Sequence, residues 1–317
     1  GFTCAAAPAV NAIPKPRISP NFRISRLYTC VAVVLIAAIE FLNAAPLMWG
    51  LEQDPRFTMR WTLPSACADA LGSHQADLGV IPAIELARRP DLIGLDGVGV
   101  ASGSGDRSQV RSILLISRGP LAHVRKVALD RASRTSAALA LILLRRRFRV
   151  QAEMVEGDAD WRAGLQRAEA VLLIGDPALR LRISGAAEGE GCQVRDLAQD
   201  WWEWTGLPFV FALWGMRREV WTEQHRWLAE RLRMALRDGL AARGELADTW
   251  AARLQLPPEE VRRYLTDNVV YRLTPEHRAG LDRFLTLAAA EGLLGPATAP
   301  HLLLLNSDPA VAAETPA

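Results

Sequence analysis

The sequence predicts an α/β protein of two lobes facing a cleft, and three observations carry that prediction. Apolar, β-branched-rich runs alternate with helix signals along most of the chain. Several of these runs break at Asn, Asp, Gly or Pro and reopen as a helix, which is how α/β proteins build ligand sites. Two strand signals, 110–117 and 209–214, enclose a further set of strands and helices, as expected if the chain leaves one lobe and later returns to it. A chain of 317 residues has room for one large or two modest cores.

The elements follow in order. The run 31–39 reads as a first, buried strand, and 44–52 as a helix behind Glu40-Phe41-Leu42-Asn43. Ser65, after Pro64, is a candidate N-cap for a helix with Ala66 to Leu71 as its body and Gly72 as its stop. Asp77 to Pro82 reads as a short buried strand, and 83–89 as a helix. Gly97 to Ser108 is dense in Gly and Ser and is expected to be a loop. Strands are expected at 110–117 and 124–129, and the segment Ser133 to Ser136 caps an apolar helix over 137–147. Strand 171–174 should end in a Gly175-Asp176-Pro177 turn, and strand 209–214 follows Gly206-Leu207-Pro208. The rest reads as helical, over 220–242, 246–254, 258–266 and 275–291.

This order places lobe one at 31–115 and 212–292 and lobe two at 116–211, with 1–30 a disordered extension and 293–317 a flexible tail. It is the layout of a two-lobed type II periplasmic-binding-protein-like fold with its ligand in the interlobe cleft. The apolar run Cys30 to Ile39, preceded by Arg23 and Arg26, mimics a signal peptide but is too short to span a bilayer. The favoured reading is a core strand in a cytoplasmic protein, because removing the run would delete the strand that presents Asn43.

Composition excludes several functions. The net charge is +2 and no long basic run is present, which argues against nucleic acid and membrane surfaces as partners. Arg145-Arg146-Arg147 with Arg149 reads as a solvated helix end. Cys4, Cys30, Cys67 and Cys192 are far apart, as are the five histidines, so no metal site is expected. Reduced thiols are the expectation. Neither a Ser–His–Asp triad nor paired carboxylates emerge, and Gly97 to Gly105 lacks the following helix of a dinucleotide fingerprint. No cofactor is expected.

What remains is a set of turns that could converge on the cleft. Asn43 follows the first strand, and Ser65, Thr135 and Ser136 open helices. Ser102 lies in the polar loop, Arg111 and Ser112 begin a crossing strand, and Asp176 ends a strand. Neutral hydroxyls and amides near helix N-termini, with one arginine, suit a small carboxylate. Each has a structural alternative: Asn43 as a turn-former, the hydroxyls as N-caps, Asp176 as a turn residue, and Arg111 as the partner of a carboxylate on the other lobe. Trp201-Trp202-Glu203-Trp204 reads as amphipathic packing ahead of ligand stacking.

A resemblance adds to this reading. The pieces Phe41-Leu42-Asn43 with Pro46-Leu47, Pro64-Ser65, Ala76 to Pro82, Val110 to Leu115, Ser133 to Ser136, Leu173 to Leu179 and Trp204 to Trp214 stand in the order found in the chorismate dehydratase (MqnA) family of menaquinone biosynthesis. Tyr264-Leu265 and Tyr271 with Leu273 continue the resemblance, which covers about 33–289. It implies a hydro-lyase that turns chorismate into 3-[(1-carboxyvinyl)oxy]benzoate on the futalosine route, with chorismate as its small-molecule partner. It also implies Asn43 and Ser112 as catalytic residues and Thr135 and Ser136 as substrate binders. The Met-less, extended N-terminus and the Ala/Pro-rich tail depart from the family. The alternatives are a solute-binding protein for a small carboxylate, a sister naphthoate synthase, which would need a histidine near the second-lobe helix start, and a regulator's effector domain.

Overall fold

The computed structural model describes residues 33–130, 134–157, 160–221, 226–295 and 302–303. Its strands are β1 (Val34–Ile39), β2 (Phe57–Thr62), β3 (Leu78–Pro82), β4 (Leu92–Ala101), β5 (Ile113–Ser117), β6 (Lys126–Asp130), β7 (Glu153–Gly157), β8 (Ala170–Ile174), β9 (Gln193–Asp196), β10 (Val210–Arg217), β11 (Val270–Arg272) and β12 (Leu302–Leu303). Its helices are α1 (Ala45–Met48), α2 (Pro64–Gly72), α3 (Ala83–Arg88), α4 (Arg134–Ile142), α5 (Trp161–Arg167), α6 (Gly175–Ser184), α7 (Ala186–Gly189), α8 (Leu197–Thr205), α9 (Arg226–Ala241), α10 (Arg243–Leu254), α11 (Pro258–Arg263) and α12 (Pro275–Ala290).

The strands form two mixed sheets, one per lobe. The first runs β11-β4-β10-β3-β1-β2, with β12 also on β4, and the second runs β7-β6-β8-β5-β9. β1 is buried along nearly its whole length because it is flanked on both sides, by β2 and β3, in parallel. β5 and β8 are buried at every position and pair antiparallel. β10 returns from the second lobe and inserts between β3 and β4, antiparallel to both.

Two chain crossings join the lobes, and an aromatic cluster packs beside the return crossing. Phe209 stands 5.3 Å from Trp201 of α8 and 4.9 Å from Phe284 of α12, both edge-on. The tryptophan-rich segment therefore packs the core, with Trp201 fully buried. The arginine cluster is paired: Arg145 meets Glu291 at 3.0 Å and Arg147 meets Glu203 at 2.6 Å.

Several expected elements shift. Residues 97–101 belong to β4 rather than to a loop. Gly99 lies there because a Cβ would come within 2.5 Å of the Ala212 carbonyl on β10. Ser65 is the second residue of α2; Leu63 occupies the cap position and Pro64 the first helical one. Gly175-Asp176-Pro177 is not a turn but the start of α6. The expected helix 137–147 is α4 followed by a π turn over Leu143–Arg147, and 258–266 is α11 followed by a π turn over Tyr264–Asn268. Strands β2, β7, β9, β11 and β12 and helices α5, α6, α7 and α8 have no expected counterpart. Cys67 and Cys192 are unpaired, and burial pushes the Cys67 thiol up to about 12. Cys4, Cys30, Ser133, the extension 1–30 and most of the tail lie outside the described residues.

Candidate functional site

The lobes meet where two strands end opposite each other. β1 stops at Ile39, and after Phe41 the chain makes a 3-10 turn, Leu42–Ala44, before Pro46 sets the first turn of α1. β8 stops at Ile174, and Gly175, at φ 64°, turns the chain into α6. The Phe41 ring lies against Gly175 so closely that a Cβ there would be 2.9 Å from it. The Leu42 N–H donates to Asp176 Oδ1 at 3.1 Å, so a second-lobe carboxyl grips the backbone turn that carries Asn43. Burial pushes that carboxyl up to about 6, against the lowering influence of the Leu42 N–H.

The cleft is lined from the first lobe by Asn43, Phe41 and Phe211, among others, and from the second by Ser136, Gly175 and Ile113. Ile113 and Phe211 fall on the opposite side of the expected boundaries because β5 belongs to the second sheet and β10 to the first. It holds about 470 Å³ of empty space, its solvent-open mouth included. Its walls are mostly apolar, with Asn43 and Ser136 as their polar side chains and the N-terminal turn of α4 behind Ser136. A flat ring fits apolar walls, and an anionic substituent suits the amide, the hydroxyl and the helix N-terminus. No His, Lys, Asp or Glu is among the lining residues, and no metal-binding cluster occurs among the described residues.

Ser112 lies directly behind this lining, 2% exposed. Its carbonyl accepts from the Gly175 N–H at 2.8 Å, and its Oγ accepts from the Tyr264 hydroxyl at 2.9 Å. The first bond ties the start of β5 to the turn after β8, and so fixes Ser112 relative to Gly175.

The other sequence candidates are engaged elsewhere. Thr135 Oγ1 accepts from the Ile84 N–H of α3 at 3.2 Å, an interlobe contact at the rim of the site. Next to it Arg134 binds Glu85 at 3.1 Å and Asp69 at 2.8 Å. Arg111 takes the structural alternative, since its guanidinium pairs with Glu260 at 2.8 Å. Its backbone, at φ 59°, is held by an N–H bond of 2.6 Å to Asp196 Oδ2. Ser102 splices the two crossings: its Oγ accepts from the Phe209 N–H at 2.9 Å, outside the cleft lining. The Ser102 carbonyl accepts from His277 Nε2 at 3.0 Å. His277 Nδ1 accepts from the Thr274 N–H at 3.1 Å, and burial holds the imidazole below its ordinary pKa, as a neutral structural ring. Ser65 is half-buried and it is Pro64 beside it that lines the cleft. The Tyr264 hydroxyl behind Ser112 has no signal in the sequence, because an aromatic at a helical apolar position reads only as core.

A family model described as menaquinone biosynthesis matches residues 34–290. The chain is similar to a chorismate dehydratase of Thermus thermophilus, with 32% identity over 258 residues, 77% of this chain and 91% of that protein. Among solved structures it is similar to a protein of Archaeoglobus fulgidus, with TM-score 0.64 and 18% identity over 84% of this chain and 100% of that one. It is also similar to the periplasmic aliphatic sulphonate binding protein of Escherichia coli, with TM-score 0.58 and 17% identity over 85% of this chain and 93% of that one. At these identities the structural likeness speaks for the fold alone, and the fold is periplasmic-binding-protein-like.

Proposed function

The chain belongs to the menaquinone biosynthesis family, and on that premise we propose that it is a chorismate dehydratase. It acts as a carbon–oxygen lyase, converting chorismate to 3-[(1-carboxyvinyl)oxy]benzoate and water. The reaction breaks a ring C–H bond and the bond from ring carbon to hydroxyl. The C–H electron pair enters the ring, the hydroxyl leaves with a proton as water, and aromaticity drives the step.

The observation that supports the reading is the lining itself: apolar walls for a ring, an amide and a hydroxyl for carboxylate oxygens, and no protein base. The substrate's own side-chain carboxylate then takes the ring proton. The protein contributes orientation and hydrogen bonds, which suffice where the driving force lies in the substrate. Asn43 and Ser112 hold the enolpyruvyl carboxylate and the leaving hydroxyl, and Ser136 and the α4 N-terminus hold the ring carboxylate. Arg111, Thr135, Ser102 and Asp176 support these groups from behind. Residues 34–39 form a strand paired on both sides within the first sheet, so this run is part of the fold and not a removable leader, as the reading of a cytoplasmic enzyme requires. No described helix is long and apolar enough to cross a membrane.

The test is to incubate purified protein with chorismate and follow the loss of one water by mass. Asn43→Ala should keep the fold and lower turnover by about 10²–10³, the usual loss for one oriented hydrogen bond in a water-poor site. Binding without conversion would move the chain to the solute-binding reading.

A further inference from the structure

The segment after α10 runs alongside the outbound crossing between the lobes and grips it at successive points. Glu260 of α11 pairs with Arg111 at 2.8 Å, the Tyr264 hydroxyl reaches Ser112 Oγ at 2.9 Å, and Asn268 Nδ2 donates to the Gln109 carbonyl at 3.1 Å. Arg107, at the start of the crossing, donates to the carbonyls of Thr266 at 2.6 Å and Asp267 at 3.2 Å. Glu260, Tyr264 and Asn268 recur every fourth residue and so face one way, towards residues 107–112. At Tyr264 the α-helix widens into the π turn Tyr264–Asn268, a rare geometry that is often found at functional sites.

We infer that Tyr264 is a positioning residue for the dehydration, its hydroxyl donating to Ser112 Oγ so that the serine keeps its own proton for the substrate. Among the described residues the phenol is the one hydrogen-bond partner of Ser112 Oγ. A serine oxygen that accepts from tyrosine still has one proton to donate, and the polarised chain makes it a stronger donor. Ile113, the next residue, and Gly175, whose N–H donates to the Ser112 carbonyl, both line the cleft, so the serine lies immediately behind its wall. Burial pushes the Tyr264 phenol above its ordinary pKa, which keeps it a donor at every working pH. The competing account is a core tyrosine whose hydroxyl merely needs a partner.

The inference rests on the dehydratase reading, so unmodified protein that leaves chorismate unconverted overturns both. With active protein, Tyr264→Phe should lower kcat about tenfold and leave KM within about twofold, as expected for an interaction realised in the transition state. In the Ser112→Ala background the same change should cost nothing further, because residues acting as one unit are non-additive. Equal losses in both backgrounds, or an unchanged kcat, would overturn the inference while leaving the dehydratase reading intact. If Tyr264→Phe does not fold, 3-fluorotyrosine installed at position 264 keeps the hydroxyl and strengthens it as a donor. It should change kcat in the native enzyme and not in Ser112→Ala; no change in the native enzyme overturns the inference.

Discussion

Gly175 sits at the closest approach of the two lobes, in a conformation that side chains resist and with no space for one. Alanine there would hold a left-handed backbone at about 1–2 kcal/mol and meet the Phe41 ring at 2.9 Å. Overpacking adds a further 1–3 kcal/mol or so. Gly175→Ala should therefore lower the unfolding free energy by about 2–5 kcal/mol in a urea titration. It should also lower kcat, since Phe41 leads into the turn that carries Asn43. Full activity with normal stability would show that Phe41 yields and that the turn is not held through it. At this scale the sequence showed Asn43 and Ser136, because helix openings after buried strands carry local signals. It could not decide whether Thr135, Arg111 or Ser102 faces ligand or protein. Their partners Ile84, Glu260 and Phe209 are set by tertiary packing and leave no trace at the residues themselves.

Two interior glycines show how one element constrains another. In α12 a Cβ at Gly280 would come within 2.0 Å of the Pro208 carbonyl on the return crossing, whereas Gly244 in α10 has open space around it. Gly280→Ala should destabilise by about 1–3 kcal/mol, since a backbone carbonyl cannot swing aside as a flexible side chain can. Gly244→Ala should be neutral or stabilising by less than about 1 kcal/mol. Paired urea titrations check the contrast, and equal effects would mean that α12 shifts freely on the crossing. The same physics explains what was legible. β1, β5 and β8 are continuous apolar runs buried on both faces, and they stood out. β4 carries Gly94, Gly97 and Gly99, of which Gly99 lies against β10 and Gly97 takes a left-handed φ of 82°, and so it imitates a loop. β2 is an edge strand with Arg60 and the exposed Trp61, so it lacks the apolar pattern that marks a strand.

Across the whole molecule, Asp176 makes the union of the lobes sensitive to pH. Its carboxyl titrates at about 6 when folded and 3.8 when free, so the folded state binds the proton more tightly. Its contribution to stability is complete below 3.8 and is lost as the pH rises through about 6. The full difference is on the order of 3 kcal/mol at 1.36 kcal/mol per pKa unit. Asp176→Asn keeps a carbonyl to accept the Leu42 N–H and cannot ionise. Measured against the native protein, the variant should gain stability from pH 4 to pH 7 by up to about that amount. A difference that stays flat across the range would place the ionised carboxylate comfortably in its site.

The position of β10 has a consequence for synthesis on the ribosome. The second sheet is built from one unbroken stretch, β5 to β9, whereas the first needs β10 between β3 and β4 before its halves can join. Residues 34–101 therefore emerge as two unjoined parts of a sheet, and the strand that unites them ends only at Arg217. At roughly 5–20 residues per second that wait lasts on the order of ten seconds. The later-made lobe can close first, while the earlier-made one holds apolar edges open to chaperones and to neighbouring nascent chains.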